Sequence, residues 1–289
     1  MDFDLKERTV LLTLAGSRAY GTHASFSDVD LKGVCIQPSD YAKGFLFRFE
    51  QADKPSHINK FSDLLSEEEK EAASKFGLEG TIYEIRKFFK LASDNNPNIL
   101  DVLFCRDSDI KYITPIGKKL RDKRDIFLSK KSRFTFCGYA FAQLKRIKTH
   151  RSWLLNPPSG KPTRKELGLP EAAKRNWNSY MSWKQNRNPK RTGLEAKYGF
   201  DVKHGLHLCR LLKMCKEILE TGQVNVYRSD AKELLNILDG KMTYEKLIEH
   251  SEIMFNDIDN LYQTSNVLPK KPDIHKINEF CIELVGEML

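Results

Sequence analysis

The sequence has few cysteines, and none of them is placed as a metal ligand. Its six cysteines lie at irregular positions in 289 residues, without a C-x-x-C pair. This spacing argues against a disulfide scaffold and a zinc site, and favours reduced thiols in a cytoplasmic protein. Long apolar stretches are also missing, because no run approaches the ~20 residues that a membrane helix needs. The first residues, MDFDLKERT, are charged, so we expect neither a secretory signal nor a membrane partner.

A complete phosphate-binding P-loop is missing too. Gly16, Gly21 and Thr22 match part of that motif, but the lysine that would reach the β- and γ-phosphates is absent. This absence argues against a P-loop NTPase.

Basic residues are concentrated in the middle of the chain. Residues 118–191 hold 21 Lys and Arg against 4 Asp and Glu, an excess of 17, so with a whole-chain charge of +9 the remainder carries −8. Such asymmetry indicates a polyanionic partner. Trp153, Trp177 and Trp183 lie among these bases, and flat rings between cations suit stacking on unpaired bases. The alternative is a solvated basic face above core aromatics.

The apolar pattern predicts an α+β fold with two parts. The run at residues 9–15 predicts a buried strand that ends at Gly16, and Val29 to Ile36 predicts a second strand. Helical spacing dominates after residue 118 and includes one long helix over 195–220. We therefore expect a mixed α/β domain at 1–117 and an α-helical domain at 118–289, with the basic, tryptophan-containing segment at 118–193.

The segment LAGSRAYGTHASFSDVDLKGV carries the most chemistry. Side chains two apart on a strand share a face, so Asp28 and Asp30 project together while Val29 and Leu31 point to the core. Two adjacent carboxylates repel each other unless a cation lies between them, and Mg²⁺ prefers such oxygen ligands. Gly16 allows close approach of a phosphate, and the Ser17 hydroxyl can donate to it. Metal-assisted nucleotidyl transfer is the chemistry that this set indicates.

These residues also resemble a known family. Gly16-Ser17 followed by Asp28-x-Asp30 is the signature of the DNA polymerase β nucleotidyltransferase superfamily. GSRAYG, SDVDLKGV, YEIRKFFKLA, NPNILDVLF, FCGYAFAQLKRI and KHGLHLCRLL together resemble the nucleotidyltransferases that are associated with RNA ligases in phages and bacteria. The motifs run from residue 16 to 212, and the resemblance implies a palm-like mixed sheet with the site at one edge.

The resemblance also implies roles for individual residues. Asp28 and Asp30 would bind two Mg²⁺ or Mn²⁺ ions that bridge an NTP triphosphate, and Gly16 and Ser17 would hold its β- and γ-phosphates. A third carboxylate, which binds the catalytic metal and activates the acceptor hydroxyl, falls at Glu79. That position is usually Asp in the family, and Glu is longer by a methylene.

Further cations are candidates for nucleotide binding. Lys203, His207 and Arg210 fall at i, i+4 and i+7 of the predicted long helix and share a face, a pattern that the family resemblance includes. Arg18 follows the Gly-Ser pair and could reach a phosphate. The alternative for these residues is a helix with ordinary surface bases and a buried histidine.

The expected reaction is transfer of a nucleotidyl group from an NTP to a hydroxyl of RNA, with tRNA one possibility. The RNA-binding candidates are the bases and tryptophans of the middle segment: Arg151, Trp153, Trp177, Trp183, Arg187, Lys190 and Arg191. Two alternatives stay open, namely a protein or small-molecule acceptor and a non-catalytic RNA-binding module. Neither a protein nor a small-molecule acceptor would require the basic segment.

Overall fold

The computed structural model describes residues 3–158, 160 and 170–288, and of these the side chains of all but 170–174 and 190. Its strands are β1 Thr9–Ala15, β2 Val29–Cys35, β3 Gln51–Ala52, β4 Leu78–Glu84 and β5 Ile110–Ile113. Its α-helices are α1 Leu5–Arg8, α2 Gly16–Tyr20, α3 Ser39–Lys43, α4 Pro55–Ile58, α5 Glu67–Phe76, α6 Ile85–Ser93, α7 Pro97–Phe104, α8 Pro115–Asp122, α9 Ser132–Leu155, α10 Pro170–Gln185, α11 Pro189–Tyr198, α12 Val202–Thr221, α13 Ala231–Leu238, α14 Tyr244–Thr264 and α15 Ile274–Gly286. Short 3₁₀ turns lie at Asn59–Leu64, Asp107–Asp109 and Arg124–Phe127.

The five strands form one mixed sheet in the order β3-β4-β2-β1-β5. Strand β1 pairs antiparallel with β2 and β5, whereas β2 and β4 run parallel. The predicted first strand is confirmed over its whole length, and the second ends one residue earlier than expected. The mixed sheet and the helices that follow it confirm the predicted α+β fold class.

The two faces of the sheet bury different cores, as the alternation of strand side chains requires. Leu12, Leu14, Val29 and Leu31 face a small core under α4 and α5. Leu11 and Val34 face the larger core, which continues into α6, α7, α9 and α12. Asp30 and Lys32 alternate with Val29 and Leu31 along β2, so they lie on the face toward the larger, helical side.

The prediction of a single helix over 195–220 is wrong, because residues 199–201 interrupt it. Helix α11 ends at Tyr198, Gly199 takes a left-handed φ of 77°, and a new helix, α12, begins at Val202. The Asp201 side chain caps α12 by accepting a hydrogen bond from the backbone N–H of His204 at 3.0 Å. A glycine that adopts positive φ and an aspartate cap two residues later are a stop and a start signal.

The larger core crosses the boundary that we predict at residue 117. Phe89 of α6 packs against Phe127 and Phe280, with ring centroids 5.1 and 5.7 Å apart. Buried residues from both predicted domains thus form one cluster, so the helical part holds the sheet through apolar contacts. In the part of the chain that the structure describes, no helix has the length and apolar character to cross a membrane.

Candidate active site at the sheet edge

The two aspartates lie at the start of β2. Asp28 directly precedes the strand and Asp30 is its second residue. Both are half-buried, whereas Val29 between them in sequence is fully buried. Burial raises the pKa of Asp30, and the nearby charges of Asp28 and Glu79 raise it further. Neighbouring carboxylates disfavour each other's ionisation, and this repulsion adds to the effect of burial.

The strand pairing places Glu79 beside Asp30. Asp30 of β2 is the register partner of Glu79 of β4, and the two strands run parallel, so both side chains lie on the same face of the sheet. Glu79 is exposed, which leaves its carboxylate accessible from solvent. The structure therefore brings together the three carboxylates that the sequence singles out.

Gly16 lies against the same carboxylates. It follows β1, whose last residue Ala15 is the register partner of Asp30, and its φ is 60°. A Cβ atom on Gly16 would lie 2.0 Å from Oδ2 of Asp30. Ser17 is the next residue, at the start of the short helix α2, and is half-buried. The turn thus passes directly over the carboxylate.

The carboxylates fit a divalent cation by their chemistry. Within the described ranges, no three His, Cys, Asp or Glu side chains form a preformed metal-binding group. Mg²⁺ usually takes only one or two protein carboxylates and completes its octahedron with waters and substrate phosphates. Asp28 and Asp30 supply such a pair, and a cation would relieve the repulsion from Asp28 that adds to burial in raising the pKa of Asp30.

Helix α12 brings positive charge to this face. The Lys203 side chain is exposed, and its ammonium counteracts the rise in the pKa of Asp30 that burial and Asp28 cause. Arg210 is buried, with its guanidinium carbon 3.7 Å from the centroid of the Tyr20 ring. Burial, together with the charges of Arg210 and Lys203, lowers the pKa of His207 to about 3. His207 is therefore neutral at physiological pH, whereas its two neighbours are charged.

A buried polar cluster behind the aspartates was not predicted from the sequence. The Tyr20 hydroxyl donates to Oδ2 of Asp101, and Nζ of Lys32 donates to Oδ1 of Asn98 at 2.9 Å. Burial lowers the pKa of Lys32, while Asp101 and Asp30 oppose that shift. The strand alternation that pairs Asp28 with Asp30 extends to Lys32. Tyr20 and Asp101 are distant in sequence, and no local signal connects them.

Arg18 points its guanidinium to the strand and to α5. Its Nε donates to the backbone carbonyl of Asp28 at 3.3 Å, and Nη1 lies 3.5 Å from a carboxylate oxygen of Glu68. The side chain is buried. Arg18 thus braces the residue before β2, and its function as a phosphate contact stays a prediction.

The aromatic residues of the basic segment pack against one another. Trp153 is 8% exposed, and its ring centroid lies 5.4 Å from that of Trp183 and 5.7 Å from that of Tyr180. Nε1 of Trp153 donates to Asn176 at 3.2 Å. Trp177 and Trp183 are half-buried. The Trp153 indole is therefore part of a small aromatic core, the alternative considered above, and only the other two keep accessible surface.

Several predicted RNA contacts form ion pairs within the chain. Arg187 pairs with Glu195, and Arg191 lies 3.1 Å from Asp201. Arg151 donates to the Gly199 carbonyl at 3.0 Å. The side chain of Lys190, a further predicted contact, lies outside the described residues. The local positive charge is thus smaller around Arg187 and Arg191 than the sequence count suggests.

This arrangement, with Asp28 and Asp30 at the start of β2 under the Gly16 turn, matches the one expected of a nucleotidyltransferase of the DNA polymerase beta type. The family model described as the RNA repair pathway DNA polymerase beta family matches residues 4–283. The chain belongs to this family. The resemblance predicted from the sequence motifs is therefore confirmed.

Two relatives can be compared with the chain. It is 28% identical over 141 residues to an uncharacterised 38.9 kDa protein from the nrdC-mobD intergenic region of Enterobacteria phage T4, which covers 48% of this chain and 38% of that protein. The chain thus matches well under half the length of this curated relative. A nucleotidyltransferase-like protein from Exiguobacterium sibiricum 255-15 aligns over 97% of this chain and 74% of its own, with 12% identity and a TM-score of 0.27.

Proposed function

We propose that the protein transfers a nucleotidyl group from an NTP to a hydroxyl of RNA and releases pyrophosphate. The observation that carries this proposal is the pairing of Asp30 with Glu79 on adjacent parallel strands, with Asp28 two residues before Asp30. Three carboxylates at one edge of a sheet can hold a cation and also accept a proton. The family description, which names an RNA repair pathway, supports an RNA acceptor.

The reaction can be assigned to the residues of the site. The acceptor oxygen attacks the α-phosphorus, a new P–O bond forms, and the bond from that phosphorus to the bridging oxygen of pyrophosphate breaks. Glu79 is accessible and accepts the proton of the acceptor hydroxyl. Gly16 and Ser17 hold the terminal phosphates, and Lys203 places a charge beside them. His207 is neutral and can bind by hydrogen bonds alone.

Asp28 and Asp30 would hold the divalent cation, Mg²⁺ or Mn²⁺, which when bound neutralises charge on the triphosphate and polarises the phosphorus. The buried Lys32 and Tyr20–Asp101 pair lie behind these aspartates. Packed side chains of this kind keep the carboxylates in place before substrate binds, and such preorganisation is the main contribution of a protein to phosphoryl transfer.

RNA would lie along the exposed side of α9. Lys145, Arg146 and Lys148 are exposed there, and Phe141, one turn before Lys145, is 60% exposed. Residues 141, 145 and 148 fall at i, i+4 and i+7 and share one face of the helix. Gln143 of the same helix contacts His204 of α12 at 2.7 Å, so this basic surface adjoins the helix that carries Lys203.

The first experiment tests the reaction. The full chain is incubated with each labelled NTP, Mg²⁺ or Mn²⁺, and total cellular RNA, and label in RNA is the expected result. Asp28→Asn and Asp30→Asn should each lower the rate by at least ~10²-fold, whereas Asp40→Asn, on the exposed α3, should leave it unchanged. Label in protein or in a small molecule would replace the RNA acceptor. Transfer at the normal rate by a double variant would refute the assigned site.

A second experiment tests the RNA surface. Each phosphate contact to single-stranded RNA contributes about 0.7 to the slope of log affinity against log salt. Changing Lys145, Arg146 and Lys148 together to Gln should therefore reduce that slope by about 2. The control carries the same loss of charge at exposed lysines outside the basic segment. These are Lys232, Lys241 and Lys246.

The control triple variant should keep the slope of the unmodified protein. Equal slopes for both triple variants would show that net charge alone drives binding and that α9 is not the RNA surface.

A further inference from the structure

A second cleft opens beside the N-terminus of α12, where α9, α10 and α11 meet. Its volume is about 280 Å³, and its walls include Trp183 and Arg187 near the end of α10, together with His150 and His204. This volume lies just below the ~300–1,000 Å³ typical of sites for drug-sized ligands. It therefore suits one small ring system better than a whole nucleotide.

The charges in the cleft cancel. Arg187 pairs with Glu195, and Arg191 lies 3.1 Å from Asp201. Burial lowers the pKa of His150, and burial likewise lowers that of His204, so both rings are neutral at physiological pH. The two cations and two anions of the lining thus leave it without net charge. The cleft fits a neutral polar ligand.

Flat groups line the cleft. The His150 ring lies 5.3 Å from the Trp183 ring, centroid to centroid, and the guanidinium carbon of Arg187 lies 4.4 Å above the Trp183 ring. Aromatic rings and arginine planes are the surfaces on which single-stranded RNA bases stack. A flat heterocycle is thus the shape that these walls accept.

Two hydrogen-bonding atoms of the walls lack a partner within the described residues. They are Nδ1 of His150 and Nε of Arg187. His204, in contrast, contacts Gln143 through Nδ1 and Arg191 through Nε2. An unpartnered acceptor or donor in a buried wall costs stability unless a ligand or water satisfies it. A heterocycle with edge donors and acceptors would do so.

We propose that this cleft binds one nucleobase of the substrate. The inference deepens the proposed function and rests on it, because it assigns the base a place beside the site of transfer. His204 directly follows Lys203 in α12, and the charge of Arg191, which lines the cleft, contributes to lowering the pKa of His207 after burial, Arg210 and Lys203. The base comes either from the incoming NTP or from the RNA acceptor, and both sources offer the same ring chemistry.

The test compares an aromatic residue of the cleft with one outside it. Trp183 lines the cleft, whereas Tyr112 lies on β5 and is 39% exposed. Affinities are measured for each NTP in Mg²⁺ without acceptor, and for a short single-stranded RNA in EDTA without NTP. Trp183→Leu should weaken the binding of one of these ligands by about 5- to 140-fold, the range that follows from losing one stacked base. Tyr112→Leu should change neither affinity by more than about twofold.

The ligand whose affinity falls in Trp183→Leu identifies the source of the base. Loss confined to NTP assigns the cleft to the incoming nucleotide, and loss confined to RNA assigns it to the acceptor. Unchanged affinity for both ligands, with the variant folded by thermal melting, would overturn the proposal.

Crosslinking decides the matter if Trp183→Leu fails to fold. The unmodified protein is irradiated with 5-iodouridine-terminated RNA or with 5-iodo-UTP, and adducts are mapped by mass spectrometry. Adducts at Trp183 or His150 support the proposal, and adducts confined to other positions refute it. Neither binding measurement requires transfer. A protein that binds the base here but transfers nothing would therefore contradict the proposed function and leave this inference intact.

Discussion

The backbone of Gly16 packs directly against the carboxylate of Asp30, and a Cβ atom on Gly16 would lie 2.0 Å from Oδ2 of Asp30. Gly16 also has a φ of 60°, a conformation that costs an L-residue about 1–2 kcal/mol. Gly16→Ala should therefore destabilise the protein by about that amount or more, and should push Asp30 aside. We expect transfer to fall at least ~10²-fold.

Gly138→Ala is the matched control for Gly16→Ala. Gly138 lies within α9, and an added Cβ there would meet nothing within 4 Å outside its own helix. Alanine in a helix interior is about 0.5–1 kcal/mol more favourable than glycine. Urea unfolding and transfer rates distinguish the two variants, and a fully active Gly16→Ala protein would contradict the site geometry.

Glu79→Gln should slow the chemical step more than it weakens NTP binding. Glu79 is the register partner of Asp30 on the neighbouring strand, and its side chain is exposed. Its carboxylate can therefore reach the acceptor hydroxyl. We expect kcat to fall by ~10²–10⁴-fold, the usual contribution of a general base, with KM for the NTP changed little. Glu71→Gln, on the exposed side of α5, serves as the control. A rise in KM alone would show that another group accepts the proton.

Lys203→Gln should raise KM for the NTP about 10-fold and leave stability unchanged. Lys203 is exposed and its charge acts on Asp30, so a bound triphosphate would gain a charge-assisted hydrogen bond worth about 1.5 kcal/mol. The control is Lys216→Gln on the same helix, whose partner is Asp257 at 2.9 Å. Equal KM values for the two variants would remove Lys203 from the nucleotide site.

Stability should fall as the pH drops below about 6.5, the ordinary pKa of histidine. Burial and the charges of Arg210 and Lys203 lower the pKa of His207 to about 3 in the folded protein. Between these two values the unfolded chain binds a proton that the folded chain does not. The resulting loss approaches ~1.4 kcal/mol per pH unit for one histidine.

His207→Gln should flatten this dependence in urea titrations between pH 7 and pH 4.5. His275→Gln, at an exposed position of α15, should leave the dependence unchanged. His204 contributes in the same direction, because burial also lowers its pKa, so some slope should persist. An unchanged slope in His207→Gln would show that His207 titrates normally.

Local patterns were sufficient to predict the parts of the site that lie close together in sequence. These patterns depend on neighbouring residues only: the apolar run at Thr9–Ala15, the Gly16 that follows it, and the alternation around Asp28 and Asp30. Both predicted strands are confirmed. The pairing of Asp30 with Glu79 depends on a crossover of more than forty residues. It could be inferred only by resemblance, because no local pattern fixes a register across such a connection.

The errors and omissions have a similar origin. The prediction of one helix over 195–220 missed the break at Gly199, because the apolar spacing continues across this residue. Whether a glycine adopts a positive φ depends on its surroundings. The packing of Trp153 against Trp183 was not predicted, because composition cannot distinguish an exposed ring from a packed one. Tyr20 and Asp101 meet only after the strand and α7 have packed together. Each case required a tertiary contact.

Lys203 and His204 are consecutive residues at the beginning of α12, yet the charge of Lys203 acts on Asp30 while His204 lines the second cleft. Successive residues of a helix point about 100° apart, so one helical turn borders both places. A ligand that shifted this turn on binding would therefore change the fit of the other ligand. Thermodynamic linkage makes the effect mutual: base and cation would each change the affinity of the other by the same factor, whichever binds first.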